Sequence, residues 1–395
     1  MDVSVIIVNW NVKPLLRRCL ASLQVQQGVD FEVIVVDNAS SDGSAMMVAE
    51  EFPEYTLIAS NRNLGFAAAN NIGIERANGD FVLLLNPDTE LTDTLTLEKL
   101  VRFMEERPHV GIVGPRLLNA DRTLQRSIRR FPTFLSQALI MLKLHHLLPR
   151  LRSLKEYFAT DIDHATERSV DQVMGACFMI RGEVIHAIGN LDERFFIWFE
   201  EVDYCRRAID SGFQVCYAPH IEVVHHGGES FGKEFGPKKQ HYFNTSLRKY
   251  FWKHHSRISA SILTALAPIS QVLASVVATV RGKEDVGGTF RATFRSALLF
   301  IVLFEILSFL GFLYPVFSSL VFAVLIVLAA VLAITDFEVA ALLLLAELFI
   351  GSQGGYLVST GAASGANVSL RLGLFLIVFT VWVARNACRE RPDQG

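Results

Sequence analysis

The sequence lacks the cysteine pattern and the glycine-rich motifs that mark several large protein classes. It has five scattered cysteines in 395 residues, at Cys19, Cys177, Cys205, Cys216 and Cys388, and no C-x-x-C pair. An odd number of scattered cysteines does not build a disulfide framework or a zinc ribbon, so reduced thiols are expected. The absence of G-x-G-x-x-G and of G-x-x-x-x-G-K-[ST] argues against a dinucleotide site and a P-loop.

The sequence also lacks an excess of charge of one sign. It has 37 lysines and arginines against 40 aspartates and glutamates, a formal net charge of −3. With no recognised binding motif either, this balance predicts that nucleic acid is not a partner. The first strand pattern begins within three residues of Met1, which leaves no room for a cleavable signal peptide.

Buried strands are the clearest pattern that is present. Residues 3–8 (VSVIIV) and 31–36 (FEVIVV) are apolar with almost no alternation, which is typical of strands covered on both faces. Residues 12–26 lie between them and carry leucines at helical spacing. This pattern is a βαβ unit, which predicts a parallel sheet with helices on both faces.

A further buried run, residues 81–85 (FVLLL), stops abruptly at Asn86-Pro87-Asp88. Pro87 fixes its own φ and disfavours helical geometry at Asn86, so the strand must end here. Asp88 is then expected just beyond the carboxyl edge of the sheet, where α/β proteins place ligands for metals and phosphates. Ordinary turn chemistry explains the same aspartate and stays open as an alternative.

The loop that follows the second strand, residues 37–44 (DNASSDGS), contains two carboxylates, Asp37 and Asp42. Carboxylates cannot cradle phosphate, so the loop is better suited to a nucleobase or a ribose. A turn with Ser41 or Asp42 capping the next helix is compatible with the same residues.

These segments, taken in order, resemble the inverting GT-A glycosyltransferases of family 2, in particular the rhamnosyltransferase-like branch of bacterial cell-surface polysaccharide biosynthesis. The resemblance rests on residues 4–11 (SVIIVNWN), 37–44, 61–73 (NRNLGFAAANNIG), 79–90 (GDFVLLLNPDTE), 127–133 (SIRRFPT), 175–181 (GACFMIR), 191–207 (LDERFFIWFEEVDYCRR) and 224–230 (VHHGGES). It implies an α/β fold of the nucleotide-diphospho-sugar transferase type, a Rossmann-like and mostly parallel sheet, over residues 1–255.

The resemblance also implies a donor site for a UDP- or dTDP-linked sugar. The donor-binding residues it implies are Asn9, Asp37, Asp42, Asn63, Asn86 and Asp88. Asn86 replaces the first acid of the family's D-x-D motif, so Asp88 and His225 are the implied ligands for Mg²⁺ or Mn²⁺, with the diphosphate and water completing the shell. The adjacent His226 stays open as the alternative ligand.

Three acids in four residues, Glu200, Glu201 and Asp203, are implied to serve the acceptor. The family motif reads E-D-x-D with its second position as the base, which is Glu201 here, and Glu200 stays open for the same role. The acceptor-side residues implied are Gly175, Ala176, Trp198 and Asp203. An acidic first turn favoured by the helix dipole would explain the same acids.

Basic residues are frequent between the strand pattern at 110–115 and Gly175. They include Arg116, Arg122, Arg126, Arg129, Arg130, Lys143, Arg150 and Arg152. We interpret this stretch as an acceptor-side insertion, because a lipid-diphosphate acceptor carries negative charge. A solvated basic surface is the alternative.

The composition changes after residue 257. Apolar runs at 297–313, 316–335, 339–358 and 372–384 predict an all-α bundle of about four transmembrane helices over residues 296–395. Flanking arginines place both ends of the bundle in the cytoplasm. The expected location is therefore the bacterial inner membrane, multi-pass, with the catalytic domain facing the cytoplasm. Residues 256–295 are expected to be juxtamembrane, with 259–280 an in-plane or re-entrant helix.

Three functions remain in competition at this level. The first is an inverting, metal-dependent glycosyltransferase that adds a sugar, possibly rhamnose, to a lipid-linked or cell-surface glycan. The second is a polyprenyl-phosphate sugar synthase, which uses a lipid phosphate as its acceptor. The third is a non-catalytic membrane component that senses nucleotide sugars. The absence of a Q-x-x-R-W segment disfavours a processive polysaccharide synthase.

Overall fold

The computed structural model describes residues 1–146, 148–227, 236–281, 318–335, 340, 359–361, 367–369 and 375–381. The chain divides into two units, Met1–Gln271 and Val272–Gly395. In the second unit the described elements are a helix, Ser318–Thr335, helical residues 375–381, and a pair of short antiparallel strands, Ser359–Gly361 and Asn367–Ser369. The predicted apolar run at 297–313, and 339–358 apart from residue 340, lie outside the described residues.

A ten-stranded mixed sheet forms the centre of the first unit. Its strands are β1 (Val3–Asn9), β2 (Phe31–Asp37), β3 (Thr56–Ala59), β4 (Phe81–Leu85), β5 (Thr89–Glu90), β6 (Val110–Leu118), β7 (Leu124–Gln125), β9 (Arg168–Ser169), β11 (Cys177–Arg181) and β12 (Gln214–His225). The main strand order is β3-β2-β1-β4-β11-β6-β12-β5. Two further strands, β8 (Ile128–Arg129) and β10 (Gln172–Val173), pair separately.

Helices cover both faces of this sheet. In chain order they are α1 (Lys13–Gln24), α2 (Ser44–Glu51), α3 (Phe66–Ile74), α4 (Thr96–Glu105), α5 (Phe134–Met141), α6 (Arg152–Tyr157), α7 (Gly182–Ile188), α8 (Glu200–Asp210), α9 (Gly236–His254) and α10 (Arg257–Arg281). A short 3₁₀ helix spans Leu144–His146.

The predicted βαβ unit is confirmed. Strands β1, β2, β3 and β4 run parallel, and every residue of β1 and β4 is buried. Alternate residues of β1 enter opposite cores: Val5 and Ile7 pack on the face covered by α1 and α4, whereas Ile6 packs on the face covered by α3 and α8. Burial on both faces explains why these runs are apolar without alternation.

Antiparallel pairing at the carboxyl edge of β4 brings distant segments together. β11 pairs with β4 so that Cys177 lies opposite Leu85, and the Asn86 N–H donates to the Ala176 carbonyl at 2.9 Å. β5 pairs with the end of β12, with Thr89 opposite His225. The segments that follow Leu85, precede Cys177 and end β12 therefore meet at one edge of the sheet.

Among the described residues, no helix combines the length and the apolar character that a membrane crossing requires. The expected transmembrane bundle over 296–395, and the multi-pass inner-membrane location based on it, are therefore wrong for the part of the chain that the structure describes. The apolar run at 316–335 contains a helix, Ser318–Thr335.

The predicted helix at 259–280 is present as α10, with Pro268 inside it. Its first half packs on α9: Ala260 and Leu263 are fully buried in one cluster with Tyr250 and Phe251. Asn244 joins the same two helices, because its amide donates to the Ala267 carbonyl at 3.2 Å. The beginning of α10 is therefore part of the first unit.

Candidate functional site

A cavity of about 570 Å³ opens at the edge of the sheet where these segments meet. Its wall is formed by the ends of strands and by the loops that follow them. Of the site residues predicted from the sequence, the cavity is lined by Asn63, Asn86, Asp88, Gly175, Ala176, Trp198, Glu200, Glu201 and His225. Four other predicted residues, Asn9, Asp37, Asp42 and Asp203, do not line it.

Asp88 and His225 form a buried pair in the wall of the cavity. They are 4% and 7% exposed, and the His225 Nε2 lies 3.3 Å from the Asp88 Oδ1. The pairing of β5 with β12 aligns them, and the His226 N–H donates to the Asp88 carbonyl at 2.8 Å. The backbone of the strand-terminal turn is thus tied directly to the end of β12.

His226 points elsewhere. Its Nε2 lies 2.9 Å from the Glu90 Oε1, and it does not line the cavity. Successive residues of a strand project to opposite faces, so only one of two adjacent histidines can reach Asp88. Of the two histidines, His225 is therefore the one whose ring faces Asp88.

The Asp88 and His225 pair fits a divalent cation in donor chemistry. Carboxylate oxygen and imidazole nitrogen are ligands that Mn²⁺ and related ions accept. The 3.3 Å between the two atoms is near the roughly 3 Å that separates neighbouring ligands of an octahedral ion with bonds of about 2.1 Å. Among the described residues, no group of three or more His, Cys, Asp or Glu is arranged to hold a metal. Other ligands would have to come from substrate or water.

Asn38 lines the cavity and joins two loops of its wall. The sequence pattern did not single it out. Its amide donates to the Asn63 Oδ1 at 3.0 Å and to the Gly65 carbonyl at 3.2 Å, and its own Oδ1 accepts from the Leu64 N–H at 2.8 Å. Asn38 thereby holds the loop before α3 against the loop after β2. Its position directly after Asp37 was the available clue in the sequence.

Asn9 and Asp37 are hydrogen-bonded to each other and do not line the cavity. The Asn9 amide donates to the Asp37 Oδ1 at 2.9 Å and to the Ser40 Oγ at 3.0 Å, and the Ser40 N–H donates to the Asp37 Oδ2 at 3.0 Å. Both residues are almost fully buried. The structure thus places them as supports of the loop that carries Asn38.

Asp42 caps helices. Its carboxylate accepts from the Lys13 N–H at 2.8 Å and from the Ser44 N–H at 3.0 Å, at the first turns of α1 and α2. Burial opposes ionisation of Asp42, but hydrogen bonds from Ser44 and Lys13 outweigh it and lower the pKa. This is the capping alternative that the sequence left open.

Glu200 and Glu201 also line the cavity, from the first turn of α8. Burial raises the pKa of both carboxyls, and the charge of Glu201 raises that of Glu200 further. For Glu201 the burial is opposed by backbone N–H groups and by the nearby Arg129. One Oε2 atom of each is buried without a hydrogen-bond partner in the described part of the chain. Glu201 is therefore the more easily ionised of the pair.

The backbone before α8 is strained. Trp198 and Phe199 have φ of +62° and +71°, in the left-handed region that non-glycine residues rarely adopt. Phe199 is anchored in the core by contacts with Phe243 and Tyr250. Such strain persists only where the surroundings enforce it, and here it places Trp198 and the two glutamates on the cavity wall.

Gly175 and Ala176 form the wall opposite these acids. A Cβ at Gly175 would lie 3.5 Å from the Glu201 Cβ, so Gly175 faces Glu201 directly. Ala176 is held beside Asn86 by the 2.9 Å backbone hydrogen bond between them. This short segment therefore spans the distance from the strand-terminal turn to the base candidates.

Arg129 is the basic residue of the 116–152 stretch that enters the cavity. Its guanidinium lies 5.7 Å from the ring centre of Tyr157 and 5.1 Å from that of Phe158. Neighbouring arginines are paired with carboxylates instead, Arg130 with Asp161 and Arg152 with Glu156. Tyr157 and Phe158, which also line the cavity, had no recognisable sequence pattern.

Asp203 lies outside the cavity and joins α8 to α9. It is fully buried and forms ion pairs with Arg207 at 2.9 Å and with Lys253 at 2.7 Å, and His254 lies 2.7 Å from its Oδ1. Burial alone would raise the pKa of Asp203, but its hydrogen bonds with His254 and Lys253 lower it. The structure thus gives Asp203 a structural position.

Comparison with known proteins relates this chain to glycosyltransferases. Residues 4–189 match the family described as Glycosyl transferase family 2. An N-acetylglucosaminyl-diphospho-decaprenol L-rhamnosyltransferase of Mycobacterium tuberculosis is 28% identical over 245 residues, which cover 58% of this chain and 78% of that protein. The low-salt glycan biosynthesis hexosyltransferase Agl10 of Haloferax volcanii is 29% identical over 228 residues, covering 57% and 67%.

A similar solved structure is the mannosyltransferase PcManGT from Pyrobaculum calidifontis in complex with GDP-Man and Mn²⁺. It has 18% sequence identity and a TM-score of 0.45, and the match covers 75% of each chain.

Proposed function

We propose, from the premise that this chain is a glycosyltransferase with a family 2 domain over residues 4–189, that it transfers a sugar from a nucleotide-diphosphate donor to a glycan hydroxyl. The observation that carries the proposal is one cavity lined by two different pairs of side chains. The Asp88 and His225 pair and the Glu200 and Glu201 pair both line it. A transferase needs these two functions on opposite sides of the anomeric carbon.

The residues around Asp88 and His225 suit a sugar nucleotide. Asp88 and His225 would hold Mg²⁺ or Mn²⁺, which supplies Lewis-acid stabilisation of the diphosphate leaving group when it is bound. Asn86 and Asn63 present amides to the same space and would orient the diphosphate or the ribose by hydrogen bonds. Asn38 positions Asn63 for this role through the 3.0 Å hydrogen bond.

The Glu200 and Glu201 pair suits proton removal from an acceptor. The carboxylate of Glu201 would accept the hydroxyl proton as that oxygen attacks the anomeric carbon, and a raised pKa makes Glu201 a better base than an exposed glutamate. The pKa of Glu200 is raised by burial and by the charge of Glu201, which opposes ionisation of both carboxyls together. A single displacement with one base inverts the anomeric centre.

The acceptor is proposed to be a glycan on a lipid diphosphate, with the relative from Mycobacterium tuberculosis as the precedent for such a substrate. Trp198, Tyr157 and Phe158 offer aromatic faces on which a sugar ring can stack. Arg129 is the cation beside them, and it would contact the diphosphate that follows the accepting sugar. Rhamnose is the donor sugar we propose.

A polyprenyl-phosphate sugar synthase is disfavoured. A lipid phosphate is already ionised at neutral pH and attacks without losing a proton, so it has no use for a buried base. A sensing domain would likewise gain nothing from Glu200 and Glu201. Burying two neighbouring carboxyls is costly, which favours a hydroxyl acceptor that needs one of them.

The test is a calorimetric titration of the full chain with UDP and with dTDP, each with and without Mn²⁺. We expect Mn²⁺ to strengthen the binding of one nucleotide, and Asp88→Asn to remove most of that gain. Asp121→Asn is the matched control, since Asp121 is exposed and bonds only to Thr123 in the described structure. Nucleotide binding that ignores both Mn²⁺ and Asp88→Asn would contradict the proposed donor site.

A further inference from the structure

Gln125 lies directly behind His225 and is not among the residues that line the cavity. It belongs to β7, which pairs with β6 so that Gln125 lies opposite Leu117, and β6 in turn runs beside β12. The Gln125 side chain crosses to the end of β12. There its Oε1 lies 2.6 Å from the His225 Nδ1, and its Nε2 donates to the His225 carbonyl at 3.3 Å.

The orientation of the Gln125 amide follows from its partners. The His225 carbonyl can only accept a hydrogen bond, so the amide atom facing it must be the NH₂ group. The same NH₂ group donates to the Asn119 Oδ1 at 3.0 Å. The amide oxygen is then the atom beside the His225 Nδ1. Because an amide oxygen only accepts, that Nδ1 must carry the proton.

We infer that Gln125 is a positioning residue that holds His225 in the Nδ1–H tautomer and leaves its Nε2 lone pair directed at Asp88. This inference rests on the proposed function, in which His225 and Asp88 hold the cation. With the ring neutral, two acceptor atoms face each other at 3.3 Å, an arrangement that repels unless a cation lies between them. Gln125 thus prepares the pair for a cation before one arrives.

The local backbone is shaped to admit this glutamine. Gly227 has φ of +62°, and a Cβ there would approach the Gln125 Nε2 to 3.2 Å. A glycine at this position allows the turn after β12 and leaves room for the amide. The His226 N–H, bonded to the Asp88 carbonyl at 2.8 Å, holds the same turn from the other side.

The first test reads the tautomer without any metal. The full chain is labelled with ¹⁵N-histidine and studied by NMR at mildly alkaline pH, where imidazole is neutral. The His225 signals are identified by their loss in His225→Gln. We expect the wild type to show the Nδ1–H form. In Gln125→Met, which keeps the length but removes the acceptor, the Nε2–H form should dominate, because Nε2–H can then donate to Asp88.

The second test measures Mn²⁺ binding to the metal-free full chain by calorimetry. Gln125→Met should weaken binding by about 10- to 100-fold, the usual effect of losing a residue that orients a metal ligand. Gln125→Glu retains an oxygen for the Nδ1–H and should keep the Nδ1–H tautomer, while it loses the NH₂ donor to the His225 carbonyl. Glu90→Gln is the matched control: it alters the partner of His226, which points away from the cavity, and should leave Mn²⁺ affinity unchanged.

A wild-type His225 in the Nε2–H form would overturn the inference, whether or not the Gln125 variants fold. So would a folded Gln125→Met with unaltered tautomer and Mn²⁺ affinity. If wild type binds no Mn²⁺ while its His225 is Nδ1–H and depends on Gln125, the role of Gln125 stands and the proposed metal site fails.

Discussion

Two adjacent residues, Glu200 and Glu201, have the acidity that the proposed reaction needs but are unfavourable for stability. Glu200 is only 4% exposed, and Glu201 next to it is half-buried. Placing two carboxyls side by side in such a site raises both pKa values, because ionisation of either is opposed by burial. The fold therefore holds acids where they are costly, which is expected of residues that perform a reaction rather than support the core.

Glu201→Gln should reduce sugar transfer by about 100-fold or more, the usual contribution of a general base, while nucleotide binding is retained. Transfer by the wild type should fall as the pH drops through the raised pKa of Glu201, because protonation removes the base. The measurements are transfer rates against pH and calorimetric nucleotide affinity. If Glu200→Gln abolishes transfer and Glu201→Gln does not, the base is Glu200.

Glu200→Gln provides an independent stability measurement. A carboxyl with a raised pKa in the folded state destabilises the protein as pH rises, because the unfolded chain loses that proton first. The variant should therefore unfold at a higher temperature than the wild type at about pH 8, and the difference should vanish at about pH 4. Each unit of raised pKa corresponds to about 1.4 kcal/mol. Equal unfolding temperatures at both pH values would contradict the direction of the shift.

At the scale of elements, the start of α3 and the strained loop before α8 depend on each other. The Phe66 N–H, in the first turn of α3, donates to the Phe196 carbonyl at 2.6 Å. Gly65, with φ of +87°, lies so close that a Cβ would be 2.4 Å from the same carbonyl oxygen. The loop before α3 and the loop before α8 thus meet at a point where only a glycine fits.

Gly65→Ala should destabilise the protein by more than the roughly 1–3 kcal/mol that an unfavourable φ alone costs, because the methyl group also displaces Phe196. Sugar transfer should fall with it, since Phe196 leads into Trp198 and the glutamates. Denaturant unfolding and transfer rates test both effects. Gly43→Ala is the matched control: Gly43 also precedes a helix with φ of +79°, but the nearest atom to its Cβ is the mobile Lys13 Nζ at 3.4 Å. Equal losses in the two variants would exclude the steric contribution.

For the whole molecule, the question is where the transferase unit ends. The sequence pattern places its boundary at residue 255, where the family resemblance stops. In the structure the first unit extends to Gln271, because the first half of α10 buries Ala260 and Leu263 against α9. Asn244 binds α10 as well, through the Ala267 carbonyl and the Ser270 hydroxyl.

A truncated chain of residues 1–271 should therefore fold and bind nucleotide, whereas residues 1–255 should be clearly less stable. Loss of the buried Leu263 alone is expected to cost about 2–5 kcal/mol, and the side chain of Asn244 would lose its two partners on α10 while keeping Gln240. Thermal unfolding of the two truncated chains, compared at equal concentration, measures the difference. Equal stability would support the shorter boundary.

Much of the fold was accessible from the sequence because its causes are local. The continuous apolar runs predicted β1, β2 and β4 to within a residue, and Pro87 placed Asp88 just beyond a strand. Asp37 and Asp42 show the limit of the same reasoning. Both follow a strand as a ligand would, yet one is bonded to Asn9 and the other caps two helices. The predicted membrane bundle was wrong for the described residues, because no helix there combines the length and the apolar character that a crossing requires.

The sequence by itself thus determined the order of buried strands, the turn that presents Asp88, and the acids at the start of α8. The tertiary structure alone decided that His225 and not His226 reaches Asp88, that Arg129 and Tyr157 enter the cavity, and that Gln125 lies behind His225. The physical reason is how far apart the interacting residues lie along the chain. Strand ends and turns follow from neighbouring residues, whereas the direction of a side chain at the end of β12 depends on its pairing with β5, more than a hundred residues earlier in the chain.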